Sequence, residues 1–314
     1  MSRPRVPSQL NLLLGIDKPH GCTSHDVVAR VRRALHERRV GHAGTLDPLA
    51  TGVMVLGIGQ ATRLLGLLTQ ERKEYLADIV FGCETNTDDA EGVVTREVPS
   101  APELLQPEVA VRALSALEGP SMQVPPAFSA ISVNGVRSYK RAREGEDVEL
   151  PARPITVYTA QLISITQNDT GAVVWTVAFA VSKGTYIRAL ARDLGRTVGS
   201  AAHIGALRRT ASGCIHLASC LDLDDLGVEQ VREHALDPVA ALGVPALSVS
   251  ARDLTDISCG RPLVPHEEIS EPGQRYALVH DGALVALGIA RDARIAMEHV
   301  FPQPIEGVSA ARVG

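Results

Sequence analysis

The first apolar run of the chain, Leu10 to Ile16 with Asn11 as its one polar residue, predicts a short buried strand over residues 11 to 16. The turn Lys18-Pro19-His20-Gly21 leads from it into a helix whose start is marked by Thr23-Ser24 followed by Asp26. Val28, Val31 and Leu35 recur at helical spacing on one face, so Arg30, Arg32 and Arg33 lie mostly off that stripe, on a solvated surface by default and a phosphate-facing one if the partner is nucleic acid. Gly41 to Gly52, GHAGTLDPLATG, is too rich in glycine, and too interrupted by Pro48, for regular helix or central strand and predicts a loop. Strand patterns rich in β-branched and aromatic residues return at Tyr75 to Phe81, Ile155 to Thr166 and Ala172 to Ser182. From Tyr186 to Val198 the period becomes helical, with Ile187, Leu190, Ala191, Leu194 and Val198 aligned. Strands separated by helices of varied length, without regular βαβ alternation, favour an α+β fold.

After Leu236-Asp237-Pro238 the texture changes to short apolar segments punctuated by Gly and Pro, and Asp281-Gly282 between two apolar runs signals a hairpin. The predicted organisation is therefore a large domain over residues 1–242, a small β-rich domain over 243–303, and a tail without apolar period over 304–314.

Composition narrows the class. With 314 residues, 45% of them apolar, the chain can bury a full core. The N-terminal apolar run stops at Asp17, far short of the ~20 residues that a bilayer span needs, and no small-residue cleavage pattern follows it. The expectation is a cytoplasmic protein with no membrane partner. Five scattered cysteines without a CxxC pair argue against a disulfide framework or a structural zinc site. Asn168-Asp169-Thr170 fits a glycosylation sequon but is expected to be an ordinary turn. The net charge of −5 hides an uneven distribution: Met1 to Lys73 carries 11 basic and 5 acidic residues (+6), whereas Leu221 to Pro272 carries 3 and 11 (−8). Phosphate binding responds to local charge, so a polyanion partner stays open.

Within the glycine-rich loop, Asp47 precedes Pro48, which biases its backbone toward extended conformations and restricts where the carboxylate points. Gly41, Gly44 and Gly52 permit positive φ or close backbone approach, which suits a loop that must meet a bulky ligand. A bare Asp-Pro is usually a turn. Its setting changes the weighing, because Asp17-Lys18-Pro19, the loop itself, Lys73-Glu74-Tyr75, Ser182-Lys183-Gly184-Thr185-Tyr186-Ile187-Arg188 and Leu207-Arg208-Arg209-Thr210 occur in this order. Together they resemble the motifs of TruB-type pseudouridine synthases from about Leu12 to Gly213.

The resemblance implies a pseudouridine synthase fold: a central mixed, mainly antiparallel sheet flanked by helices, with a small PUA-like β-rich module at the C-terminus. It implies isomerisation of uridine to pseudouridine at position 55, in the T-loop of tRNA, by a monomer without an obligatory protein partner. The reaction breaks the bond from ribose C1′ to N1, turns the base and rejoins C1′ to C5; with no net redox change and no hydrolysis it needs no cofactor and no metal. Asp47 is implied as the essential carboxylate, adding to C1′ or abstracting a ribose proton, two routes that the sequence leaves open. In a water-poor pocket such a carboxylate needs a compensating cation, and Arg188 is the family's partner for it. Tyr75 is implied to pack on the flipped base and assist the late proton transfer, and Tyr186 to line the pocket, each stacking contact contributing roughly 1–3 kcal/mol. His42 is implied to fill the space vacated by the extruded nucleotide, Lys18 to contact backbone or support the loop, and Leu207 to contact substrate.

Two further features have plain explanations. Gly57-Ile58-Gly59 starts like a dinucleotide fingerprint but lacks its third glycine, and Asp88, Asp89 and Glu91 do not have the spacing of a calcium loop and are expected to be a solvated turn. The alternative to the enzyme is a non-catalytic RNA-binding or tRNA-folding protein on the same scaffold. A hydrolase using Asp47 as nucleophile lacks a visible group to activate water.

Overall fold

The computed structural model describes residues 8–69, 72–129, 132–133, 136–137, 150–265 and 271–309. The chain is α+β, with a mixed, mainly antiparallel set of strands and a separate C-terminal sheet. Its described residues gather into two compact units, one of residues up to Asp47, 52–69 and from Ser212 onward, the other of 48–51 and 72–211.

In the first unit, strand Leu12–Lys18 pairs antiparallel with Thr51–Ile58, from Leu12 opposite Ile58 to Lys18 opposite Gly52, and parallel with Cys220–Asp222. Its apolar run is unbroken because both faces are covered. Leu12, Leu14 and Ile16 pack with Val27, Val28 and Val31 of the helix Ser24–Ala34. Leu13, Val53 and Val55 pack instead with Ala277, Val279, Leu284, Leu287 and Ile305 of the C-terminal sheet. Full burial of each of these large aliphatic side chains contributes roughly 1.5–3 kcal/mol. The helix starts as expected: Thr23 is its N-cap, Thr23 Oγ accepts from Asp26 N–H at 3.1 Å, and Asp26 Oδ2 accepts from Thr23 N–H at 2.9 Å. The bond that Thr23 Oγ donates to Asp26 Oδ2 at 2.6 Å, and then the one from Thr23 N–H, hold the Asp26 carboxyl below its ordinary range. Gly57 and Gly59 are packing positions, since a Cβ would meet Ala61 O at 2.7 Å and Leu10 O at 2.2 Å respectively.

The C-terminal sheet runs Ala246–Ser248, Arg275–His280, Ala283–Arg291, Arg294–Ile305, with the first pair parallel and the others antiparallel. Asp281 and Gly282 form its hairpin turn with φ of 45° and 69°, both positive as a two-residue I′ loop requires. The expected tail is shorter than its sequence suggests. Ile305 is fully buried and Val308 joins the same cluster, while 310–314 lie outside the described residues. Ile305 and Val308, two apolar residues, are enough to anchor the segment without any regular period.

In the second unit the strands run Ala202–Ser212, Lys73–Phe81, Val173–Val181, Arg153–Gln167 and Gly119–Gln123. Along Lys73–Phe81, residues 73, 75, 77, 79 and 81 are buried, the alternation of a strand with one covered face. Trp175 is fully buried, donates its indole N–H to Leu104 O at 2.8 Å and meets Phe81 edge-on. The helix Ile187–Thr197 turns Ile187, Leu190, Ala191 and Leu194 inward. Asn168 caps a tight turn, its Oδ1 accepting from Thr170 and Ala172 N–H, so the sequon residue serves the local fold.

Candidate active site

The residues picked out by sequence fall into both units: Lys18, His42 and Asp47 in the first, Tyr75, Tyr186, Arg188 and Leu207 in the second.

Around Asp47 the chain is irregular from Gly44 to Ala50, but the predicted loop is not loop throughout. Gly41 and His42 belong to a short strand, Val40–Ala43, paired with Thr51–Ile58 so that His42 stands opposite Leu56. The pairing tolerates glycine there because Leu65 Cδ1 fills the space beside Gly41, where a Cβ would come within 2.9 Å. Gly44 and Gly52 have φ of 87° and 101°, so the glycines at both ends of the loop are conformationally required. Asp47 itself is half-buried. His42 meets His25 edge-on, with ring centroids 5.9 Å apart.

The loop is fixed to the helix by a residue that sequence reasoning passed over. Ser24 Oγ donates to Leu46 O and accepts from Leu46 N–H, each at 2.9 Å, with both residues buried. The backbone immediately before Asp47 is thereby clipped to the first turn of the helix. In the sequence Ser24 reads as part of a cap, and nothing there signals a partner 22 residues away. Replacing Ser24 by Ala orphans a buried N–H and a buried C=O, so we expect a loss of about 2 kcal/mol in urea unfolding. An unchanged unfolding midpoint and slope would show that the clip bears no load.

Lys18 is fully buried, and its ammonium donates to Pro19 O at 2.9 Å and Cys22 O at 2.7 Å, holding the turn that precedes Ser24. Of the arginines on the same helix, Arg30 pairs with Asp224 and Arg32 donates to Val40 O. At the C-terminal sheet, Arg275 is engaged bidentately by Glu298 and Arg261 by Asp256, pairings that would compete with a phosphate for these guanidinium groups.

In the second unit, Tyr75 is buried on the covered face of its strand, opposite Phe179. Leu207 is buried on Ala202–Ser212, and its neighbour Arg208 donates to Thr51 Oγ at 3.2 Å. Tyr186 is the N-cap of the helix and makes no side-chain cap; Gln123 replaces it, accepting from Tyr186 N–H at 2.9 Å and donating to Tyr186 O at 3.0 Å. Gln123 was not legible, since it ends a polar edge strand 63 residues away.

Arg188 is no surface charge of a first helical turn: it is 4% exposed. Its guanidinium donates to Thr87 O at 2.5 Å and Phe128 O at 3.0 Å and lies 3.5 Å from Asp89 Oδ2. One turn on, Arg192 pairs with Asp88 Oδ2 at 2.9 Å, and a further turn on, Arg196 engages Glu84 bidentately at 2.6 and 3.0 Å. The expectation of a solvated turn for Asp88 and Asp89 is therefore wrong. Both are buried, because arginines four residues apart on one helix face supply the cations that burial requires, while Glu91 is exposed. Arg188, Arg192 and Arg196 stand four residues apart, so their side chains share one helix face and reach the same acidic stretch of chain.

Comparison with known proteins agrees with this architecture. The model of the TruB family pseudouridylate synthase N-terminal domain matches residues 32–187, and that of the tRNA pseudouridylate synthase B C-terminal domain matches residues 188–241. A tRNA pseudouridine synthase B of Nocardia farcinica is 46% identical over 275 residues, 88% of each chain. Another, of Paenarthrobacter aurescens, is 50% identical over 286 residues, 88% of this chain and 91% of the relative. A solved chain of an H/ACA ribonucleoprotein bound to a substrate RNA containing 2′-deoxyuridine shares the fold, with a TM-score of 0.67 at 24% identity over 93% of this chain and 85% of that one. The class is thus defined: this is a pseudouridine synthase, an isomerase of tRNA modification. Within that class, the chain belongs to the TruB family.

Proposed function

We propose that the chain converts the uridine at position 55 in the T-loop of tRNA to pseudouridine, with Asp47 performing the chemistry at C1′. The observation that carries this reading is the match of relatives named tRNA pseudouridine synthase B over 88% of the chain, together with the family models that match residues 32–187 and 188–241. The base is taken out of the stack at a cost of a few kcal/mol, offset by contacts to the flipped nucleotide. His42 takes the vacated place, Tyr75 packs on uracil, and Tyr186 and Leu207 line the pocket. Lys18 acts on the fold of the loop through the carbonyls it holds.

Asp47 either adds to C1′ or removes a ribose proton, and it acts ionised in both routes. Arg188 is its counter-ion, a fork whose geometry suits a carboxylate. The C1′–N1 bond breaks, the uracil turns while retained, C1′–C5 forms, and the C5 proton leaves as N1 regains one. The C-terminal sheet, a PUA-like module in this reading, touches the acceptor-stem region lightly, since Arg261 and Arg275 are already engaged by acids. The protein acts as a cytoplasmic monomer.

The test is incubation with an unmodified tRNA transcript followed by mapping of pseudouridine at nucleotide resolution. We expect a single signal at position 55. A signal elsewhere, or several of comparable strength, would reject the assigned position.

A further inference from the structure

We propose that Asp88 and Arg192 form a positioning pair that fixes the guanidinium of Arg188, and so sets the rate of the isomerisation without touching substrate. This rests on the proposed function, in which Arg188 serves the reacting carboxylate. The argument starts from the clasp on Arg188. Two of its contacts come from residues on either side of Asp88: Thr87 through its carbonyl at 2.5 Å and Asp89 through its carboxylate at 3.5 Å. Asp89 is itself oriented locally, its Oδ1 accepting from Thr87 Oγ at 2.6 Å and from Glu91 N–H at 3.1 Å. The middle residue of the clasp therefore determines where both outer ones stand.

Asp88 occupies a position that needs holding. Its φ is 60°, the left-handed region that a non-glycine residue enters at a cost and keeps only when its surroundings fix it. The fixing contacts are Asp88 N–H to Thr85 O at 3.1 Å, Ile204 N–H to Asp88 O at 3.1 Å, and the ion pair to Arg192 at 2.9 Å. Arg192 is tied down in turn, donating to Val124 O and Asp193 Oδ1, each at 2.9 Å. Because Arg192 stands one helical turn beyond Arg188, its grip on Asp88 sets the register of the 87–89 turn against the helix that carries Arg188.

The charges facing Asp88 make this testable by pH. Burial pushes its carboxyl up to about 6, although Arg192, Arg188 and Arg196 on the helix pull it down; Asp193 on the same helix pushes it up. Protonation near pH 6 removes the charge that holds Arg192. The same shift has the opposite consequence for stability. A carboxyl raised above its ordinary 3.8 contributes stability that is full at low pH and is lost as pH rises through about 6. Acid therefore favours the fold at this residue while loosening the pair, so activity and stability move in opposite directions.

The experiment measures single-turnover pseudouridine formation on a tRNA transcript from pH 5 to 8, with tRNA affinity and thermal midpoint in parallel, for the wild type, Asp88→Asn and Arg192→Lys. We expect the wild-type rate to fall as pH drops through about 6 without a drop in thermal midpoint. Asp88→Asn, which mimics the protonated carboxyl, is expected to be roughly ten- to a hundredfold slower at pH 7.5, with that acid step gone and with tRNA affinity and thermal midpoint kept. Arg192→Lys, which keeps the charge without the fork, is expected to retain the acid step at a reduced rate. A wild-type rate and pH profile in Asp88→Asn overturns the proposal alone, as does an Asp88→Asn variant that is slower but keeps the acid step. A wild type that forms no pseudouridine at any pH overturns the proposed function with it.

Discussion

Asp47→Asn is expected to abolish pseudouridine formation, lowering the single-turnover rate by on the order of a thousandfold or more, while tRNA affinity changes by less than about threefold. The amide keeps the shape of the side chain and its place after the clipped Leu46, so the loop anchored by Ser24 keeps its course. What disappears is the charge, which both routes at C1′ require. The same variant separates the enzyme from a protein that only binds or refolds tRNA, because a binder would lose nothing. Conversion by the variant at the parent rate would end the assignment.

The second large effect belongs to Arg188→Lys, expected to lower the single-turnover rate by about a hundredfold with tRNA affinity kept within a few-fold. In the wild type two guanidinium nitrogens reach Thr87 O and Phe128 O, and the group stands beside Asp89 Oδ2. A single ammonium cannot reproduce that fork, so the cation stays in the site but loses its direction. Equal losses in rate and affinity would mark Arg188 as a phosphate contact instead. The two variants together test the roles proposed for Asp47 and Arg188.

Features written in neighbouring residues were legible in the sequence, and features written across the chain were not. The strand at Leu12, the capping box of Thr23 and Asp26, and the Asp281-Gly282 turn each depend on a few consecutive residues, and each forms where expected. The burial of Arg188 depends on Thr87 and Phe128, 101 and 60 residues away, and local pattern could not distinguish it from a solvated helix charge. Only resemblance to the family's motif singled it out. Asp88 and Asp89 were misread for the same reason: beside Glu91 they look like a polar turn, and their cations arrive from a helix about 100 residues later. Ser24 and Gln123 were invisible because each performs with its side chain a task that sequence reasoning assigns to nearby backbone or caps.

The two-sided burial of the first strand has a consequence for synthesis. Leu13, Val53 and Val55 gain their outer cover from Leu284, Leu287 and Ile305, and Asn11 O receives its hydrogen bond from Glu306 N–H. A nascent chain that has already emitted its opening hundred residues must keep that face exposed until the final strand emerges. Growth from the N-terminus thus leaves this unit unfinished until Ile305 emerges, and termination between the change of texture near residue 243 and Ile305 would release a protein with a sticky flank rather than a shorter enzyme.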